Sequence, residues 1–98
     1  MKRLLFFSEP TKKDKRLAAV FYIDGKIKVI NFGSKNGETF TLDHQDSTKR
    51  KNWVKRHIHN IEKFKHNPLA PITLAHRILW VEESLPKAIE TYKMEYGL

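Results

Sequence analysis

Apolar positions follow two rhythms along this chain. In the amino-terminal half they come in short runs and alternations. Leu4, Leu5, Phe6 and Phe7 form an apolar run, Leu17 to Ile23 is rich in strand formers, and Lys26 to Phe32 sets Ile27, Val29 and Asn31 on one face against Lys28 and Ile30 on the other. Such period-two stretches predict β-strands. The dipeptide Asp24-Gly25 tolerates positive φ and predicts a tight hairpin between the second and third of them. Pro10 to Arg16 is a polar, basic interruption that reads as a loop. Gly33 to Glu38 holds two glycines and an asparagine, after which Thr39 to Leu42 again alternates, Phe40 and Leu42 against Thr39 and Thr41, so a second hairpin with a longer loop is expected. Residues 1–46 therefore predict an antiparallel meander of three or four strands, with the first at an edge.

From residue 47 the rhythm becomes helical. Asp46 or Ser47 can cap a helix over 47–66 whose apolar positions Val54, Ile58 and Ile61 recur at spacings of four and three, widened by Trp53, His57 and Phe64. That helix should end before Pro68. Pro68 and Pro71 bracket a tight connection, and Ile72, Ala75, Leu79 and Trp80 predict a second, shorter helix. Ser84 is the expected cap of a third, with Pro86 in its first turn and Leu85, Ile89, Tyr92 and Tyr96 along one side until Gly97. A chain of 98 residues buries enough surface for one core and not two. The expectation is one α+β domain, 1–98, with the meander followed by three helices packed on one sheet face, Val54, Ile58 and Ile61 docking on the strands.

Charge adds a direction to this picture. The net charge is +8, and residues 47–66 alone hold seven Lys/Arg and a single acid, Glu62. Residues 1–17 form a second basic segment, whereas 18–46 and 67–98 are each slightly acidic. Such asymmetry favours an anionic partner over a uniformly solvated surface. Lys49, Arg50, Lys51, Lys55, Arg56, His59 and Lys63 fall opposite the apolar stripe of the first helix, the separation of faces that phosphate binding requires. Each phosphate neutralised there releases condensed counterions, so affinity should fall steeply with salt. Arg16 adds to this surface from the first basic segment, and Lys35 from the loop Gly33-Ser34-Lys35-Asn36-Gly37, whose backbone N–H groups are a weak phosphate signal. That loop lacks P-loop spacing and precedes no helix, so glycine's backbone freedom explains it better.

Other chemistries find less support. The chain has no cysteine, which excludes disulfides and thiolate metal sites and is compatible with a reducing, intracellular compartment. The apolar run within Met1 to Phe7 is too short for a signal peptide or a membrane span, so no membrane is expected as partner. His57 and His59 lie two apart, pointing about 200° from each other on a helix, and with His66 they make no ligand set; no metal and no cofactor are expected. His57-Ile58-His59-Asn60 could belong to a metal-dependent nuclease motif, but its general base would have to be His44, whose cluster with Asp43 and Asp46 suits a turn and a helix cap at least as well. No catalytic residue is assigned. The aromatics Phe21, Tyr22, Phe32, Phe40, Trp53 and Trp80 could stack unpaired bases, but their positions favour packing.

Taken in order, Phe32-Gly33-Ser34-Lys35, Phe40-Thr41, Arg50-Lys51, Arg56-His57, Ile78-Leu79-Trp80 and Ser84-Leu85 with Ala88-Ile89 and Tyr92 resemble a small family encoded by nucleocytoplasmic large DNA viruses of the phycodnavirus and giant-virus kind. The chain departs from that pattern at Pro68-Leu69-Ala70-Pro71, where a more polar, glycine-bearing link would be expected. The resemblance implies a viral origin, in host cytoplasm, nucleus or virion, and a compact α+β domain; it supplies no activity. Residues and resemblance together lead to a non-enzymatic nucleic-acid-binding accessory protein. The preference for double-stranded DNA over RNA comes from the resemblance alone. The alternative is a structural or virion protein whose basic surface docks an acidic protein, and a metal-dependent nuclease ranks third.

Overall fold

The computed structural model describes residues 2–98; Met1, at the start of the first predicted strand, lies outside the described residues. The Asp24-Gly25 turn forms as its chemistry dictates, with φ of 48° and 86°, and folds β2 (Lys15–Ile23) back on β3 (Lys26–Ser34). β1 (Lys2–Ser8) pairs antiparallel with β2, giving a three-stranded meander of order β1-β2-β3 with a bulge between Leu4 and Phe6. Alternation then decides the faces. Leu4, Phe7, Leu17, Ala19, Phe21, Ile30 and Phe32 join the core, whereas Phe6, Tyr22, Ile27 and Val29 remain exposed on the other face.

Thr39 to Leu42 does not form the fourth strand that its alternation predicts. Phe40–His44 is instead a wide π-helical turn, closed by bonds from the His44 and Gln45 amides to the carbonyls of Thr39 and Phe40. Reciprocal capping outweighs the period-two pattern. The Thr39 hydroxyl accepts from the Leu42 amide at 3.1 Å, and Asp43 Oδ2 in return accepts from the Thr39 amide at 2.7 Å and its hydroxyl at 3.0 Å. Arg16 adds a 3.0 Å ion pair to Asp43 and a 3.2 Å bond to the Gly37 carbonyl. The Arg16 hydrogen bond, helped by Thr39, holds the Asp43 carboxyl below the ordinary range despite the opposing effect of burial.

α1 (Ser47–Phe64) begins as expected, with Asp46 Oδ1 accepting from the Thr48 and Lys49 amides. Those two bonds, Lys49 first, lower the Asp46 pKa. α2 (Pro71–Leu74) runs directly into a second wide turn, Ala75–Leu79, which buries Ala75, Ile78 and Leu79 beneath the sheet, and α3 (Leu85–Tyr96) is capped by Ser84 and closed by Gly97. The sheet is covered chiefly by α2 and its continuation, while α1 leans on α2 and on the Phe40–His44 turn. The stripe expected to dock on the strands is accordingly uneven: Ile61 is buried, Val54 half-buried and Ile58 45% exposed.

Two sets of side-chain hydrogen bonds to backbone carbonyls hold the helical layer. Thr73, Tyr96 and Tyr92 donate to the carbonyls of Phe64, Lys65 and Pro68, satisfying the end of α1 and the proline link behind it. Thr41, Gln45 and Arg50 donate to the carbonyls of Glu82, Glu83 and Val81, fixing the segment that leads into α3.

Candidate nucleic-acid interface

α1 turns its outer side away from every packed element, and along that side Lys51, Lys55, His59 and Lys63 repeat at a spacing of four. Residues so spaced form one ridge on a helix, with successive side chains about 6 Å apart along the axis. Lys51, Lys55, Arg56 and His59 are exposed and make no ion pair or hydrogen bond with any described residue; Lys63 lies over the Phe64 ring at 5.4 Å. The sole acid of the helix, Glu62, is occupied by Lys65 at 3.1 Å. The ridge is therefore a row of uncompensated donors.

Three of the cations expected at this surface are engaged elsewhere. Arg16 is clamped to Asp43 and Gly37, as described above. Arg50 faces inward, donating to the Val81 carbonyl at 3.0 Å with its guanidinium 4.4 Å from the Phe40 ring centre. Lys49 pairs with Glu38 at 2.9 Å, and the hydrogen bond it donates to that carboxylate raises the pKa of the ammonium. Arg16 and Arg50 thus hold the fold together, and Lys51, Lys55, Arg56, His59 and Lys63 remain as the free set on the helix. Lys35 is exposed on the glycine loop.

Beside the ridge the glycine loop and α1 enclose a cleft of about 510 Å³, with Gly33, Ser34, Gly37, Trp53, Arg56 and His57 among its walls. The Trp53 ring stacks on Trp80 with centroids 4.9 Å apart and planes at 8°, and on His57 at 4.3 Å and 24°. His57 Nδ1 lies 2.8 Å from the Trp53 carbonyl; a carbonyl only accepts, so Nδ1 carries a proton. His76 stacks against Trp53 at 6.1 Å, and burial, with Arg77 adding to it, pushes its pKa down to about 4. A second cleft of about 250 Å³ adjoins the first, sharing Glu38, Arg56 and Trp80 and adding His44, Lys49 and Asn52. His44 Nδ1 accepts from the Asp46 amide, while its Nε2 is buried with no hydrogen-bond partner among the described residues, and its ring meets those of Phe40 and Trp80.

Trp80 is buried and Trp53 half-buried, so both pack as their helical positions imply; that they also wall a cleft depends on the glycine loop folding over them, which no spacing in the sequence announces. His57 and His59 diverge, the first against Trp53 and the second in solvent, and no group of three acidic or histidine side chains suited to a metal ion occurs among the described residues. No helix among the described residues is long and apolar enough to cross a membrane.

In comparisons with known proteins, the sequence model of a family of unknown function (DUF5754) matches residues 6–57, from within β1 to just past the middle of α1. No curated protein and no solved structure matches the chain.

Proposed function

For this chain, which belongs to that family of unknown function by a match covering just over half its length, we propose a non-enzymatic role in binding nucleic acid through the phosphate backbone. The carrying observation is the uncompensated ridge: Lys51, Lys55 and His59 at helical spacing with Arg56 at their flank, none of them paired with a described residue. A cation that has no internal partner loses none on binding a phosphate, and its position on a rigid helix lowers the entropy of ordering it. The row supplies charge and spacing without a side-chain set that reads base edges, so binding should tolerate many sequences. Duplex DNA is the favoured form, on the resemblance to the viral family described above; that resemblance equally underlies a viral origin.

The test is affinity for a short blunt DNA duplex at several salt concentrations. With Lys51, Lys55, Arg56 and Lys63 on phosphates, the logarithm of the binding constant should fall against the logarithm of salt with a slope of roughly −3 to −4. A slope near zero, or equal binding to an acidic protein at the same ionic strength, would overturn the phosphate reading in favour of protein docking.

A further inference from the structure

Arg56 belongs to two features at once. It flanks the ridge, and it lines both clefts beside it. We infer that the two adjoining clefts together hold one unstacked nucleotide of the bound strand, its base in the larger cleft and its phosphate in the smaller. The inference rests on the backbone-binding role proposed above and adds the form of nucleic acid preferred: one carrying an unpaired end.

The division follows from what lines each space. The larger cleft, about 510 Å³, falls within the range typical of small-molecule sites and combines the aromatic walls of Trp53, His57 and Trp80 with the Ser34 hydroxyl and the loop backbone. That suits a planar, partly polar heterocycle, which gains from aromatic contact whatever its identity. The smaller, about 250 Å³, is lined by Asn52 and the unpaired Arg56, donors for a phosphate oxygen. Glu38 lies in both walls and would repel an anion, but its carboxylate is already neutralised by Lys49 at 2.9 Å. A fully paired duplex cannot enter, because its bases are stacked inside the helix. A strand lying along Lys51 and Lys55 meets Arg56 at the ridge's flank, where a terminal base can leave its stack at little cost.

Both tryptophans of the chain line the larger cleft, so their emission reports its occupancy directly. The full-length protein is titrated with a blunt DNA duplex, the same duplex with a short single-stranded overhang, and that overhang made abasic. The overhang should tighten binding roughly tenfold and quench the tryptophan emission, while the abasic overhang should behave as the blunt duplex does. Ser34→Tyr, at the exposed end of β3 where the side chain makes no hydrogen bond to a described residue, should fill the cleft and abolish the gain while leaving blunt-duplex affinity unchanged. Equal affinity for all three probes without quenching would overturn the nucleotide site and leave the ridge standing. Failure of every probe to bind at low salt would overturn both.

Discussion

Replacing Tyr92 by alanine is expected to lower the stability of the fold by about 3–5 kcal/mol. The side chain is fully buried, its ring meeting Phe7 edge-on at 6.5 Å and Tyr96 at 5.2 Å, and its hydroxyl donates to the Pro68 carbonyl at 2.5 Å. Truncation removes both the packing and the donor that ties α3 to the link between α1 and α2. Burial also pushes the phenol pKa up, which favours the protonated donor. Small domains hold only about 5–15 kcal/mol in total, so the alanine variant should lose a large fraction of its stability. Tyr92→Phe separates the two contributions: it keeps the ring, orphans the carbonyl, and should cost about 1–3 kcal/mol. Urea denaturation followed by circular dichroism measures both, with a shifted midpoint and an unchanged slope as the mark of lost stability. A Tyr92→Ala midpoint equal to wild type would contradict the assignment of this residue to the core.

Gly33→Ala should cost about 2–4 kcal/mol, combining a left-handed backbone with overpacking. Gly33 has φ of 78°, and an added Cβ would stand 2.8 Å from Leu79 Cδ1 and 3.0 Å from Arg16 Cβ. Neither neighbour yields readily, since Leu79 is fully buried and Arg16 is clamped to Asp43. Gly25→Ala is the control. Gly25 also has positive φ, 86°, but a Cβ there meets nothing within 4 Å, so only the backbone cost of about 1–2 kcal/mol applies. Thermal melts of the two variants should therefore differ by at least several degrees. If they melt together, the close approach of β3 to Leu79 is not what makes Gly33 necessary.

The sequence disclosed most clearly those elements whose local chemistry and burial agree. The β2–β3 hairpin was legible because Asp24-Gly25 demands one turn and the flanking residues alternate; α1 because an aspartate cap precedes a helical apolar period; α3 because Ser84, Pro86 and Gly97 mark its ends. Thr39 to Leu42 misled for the same kind of reason in reverse. Its alternation is real, but the Thr39 hydroxyl accepts from the Leu42 amide while the Asp43 carboxylate accepts from the Thr39 amide, and that depends on two side chains four residues apart rather than on a period. The placement of α1 was also hidden, since an apolar stripe announces burial and not which element buries it. At the candidate site, exposure of Lys51, Lys55, Arg56, His59 and Lys63 follows from the helical wheel alone. The internal engagement of Arg16 and Arg50 does not, because their partners Gly37, Asp43, Phe40 and Val81 come from distant parts of the chain.

On the proposed function, affinity for nucleic acid resides in one ridge and not in the net charge of the chain. Two double variants test it, Lys51→Glu/Lys55→Glu on the ridge and Lys26→Glu/Lys28→Glu on the exposed hairpin, which change the total charge equally. Measured against a blunt duplex at one moderate ionic strength, the ridge variant should lose roughly a hundredfold in affinity, as expected for two charge-assisted phosphate contacts, while the hairpin variant stays close to wild type. Equal losses in the two variants would mean that diffuse positive charge attracts the duplex and that α1 is no binding face.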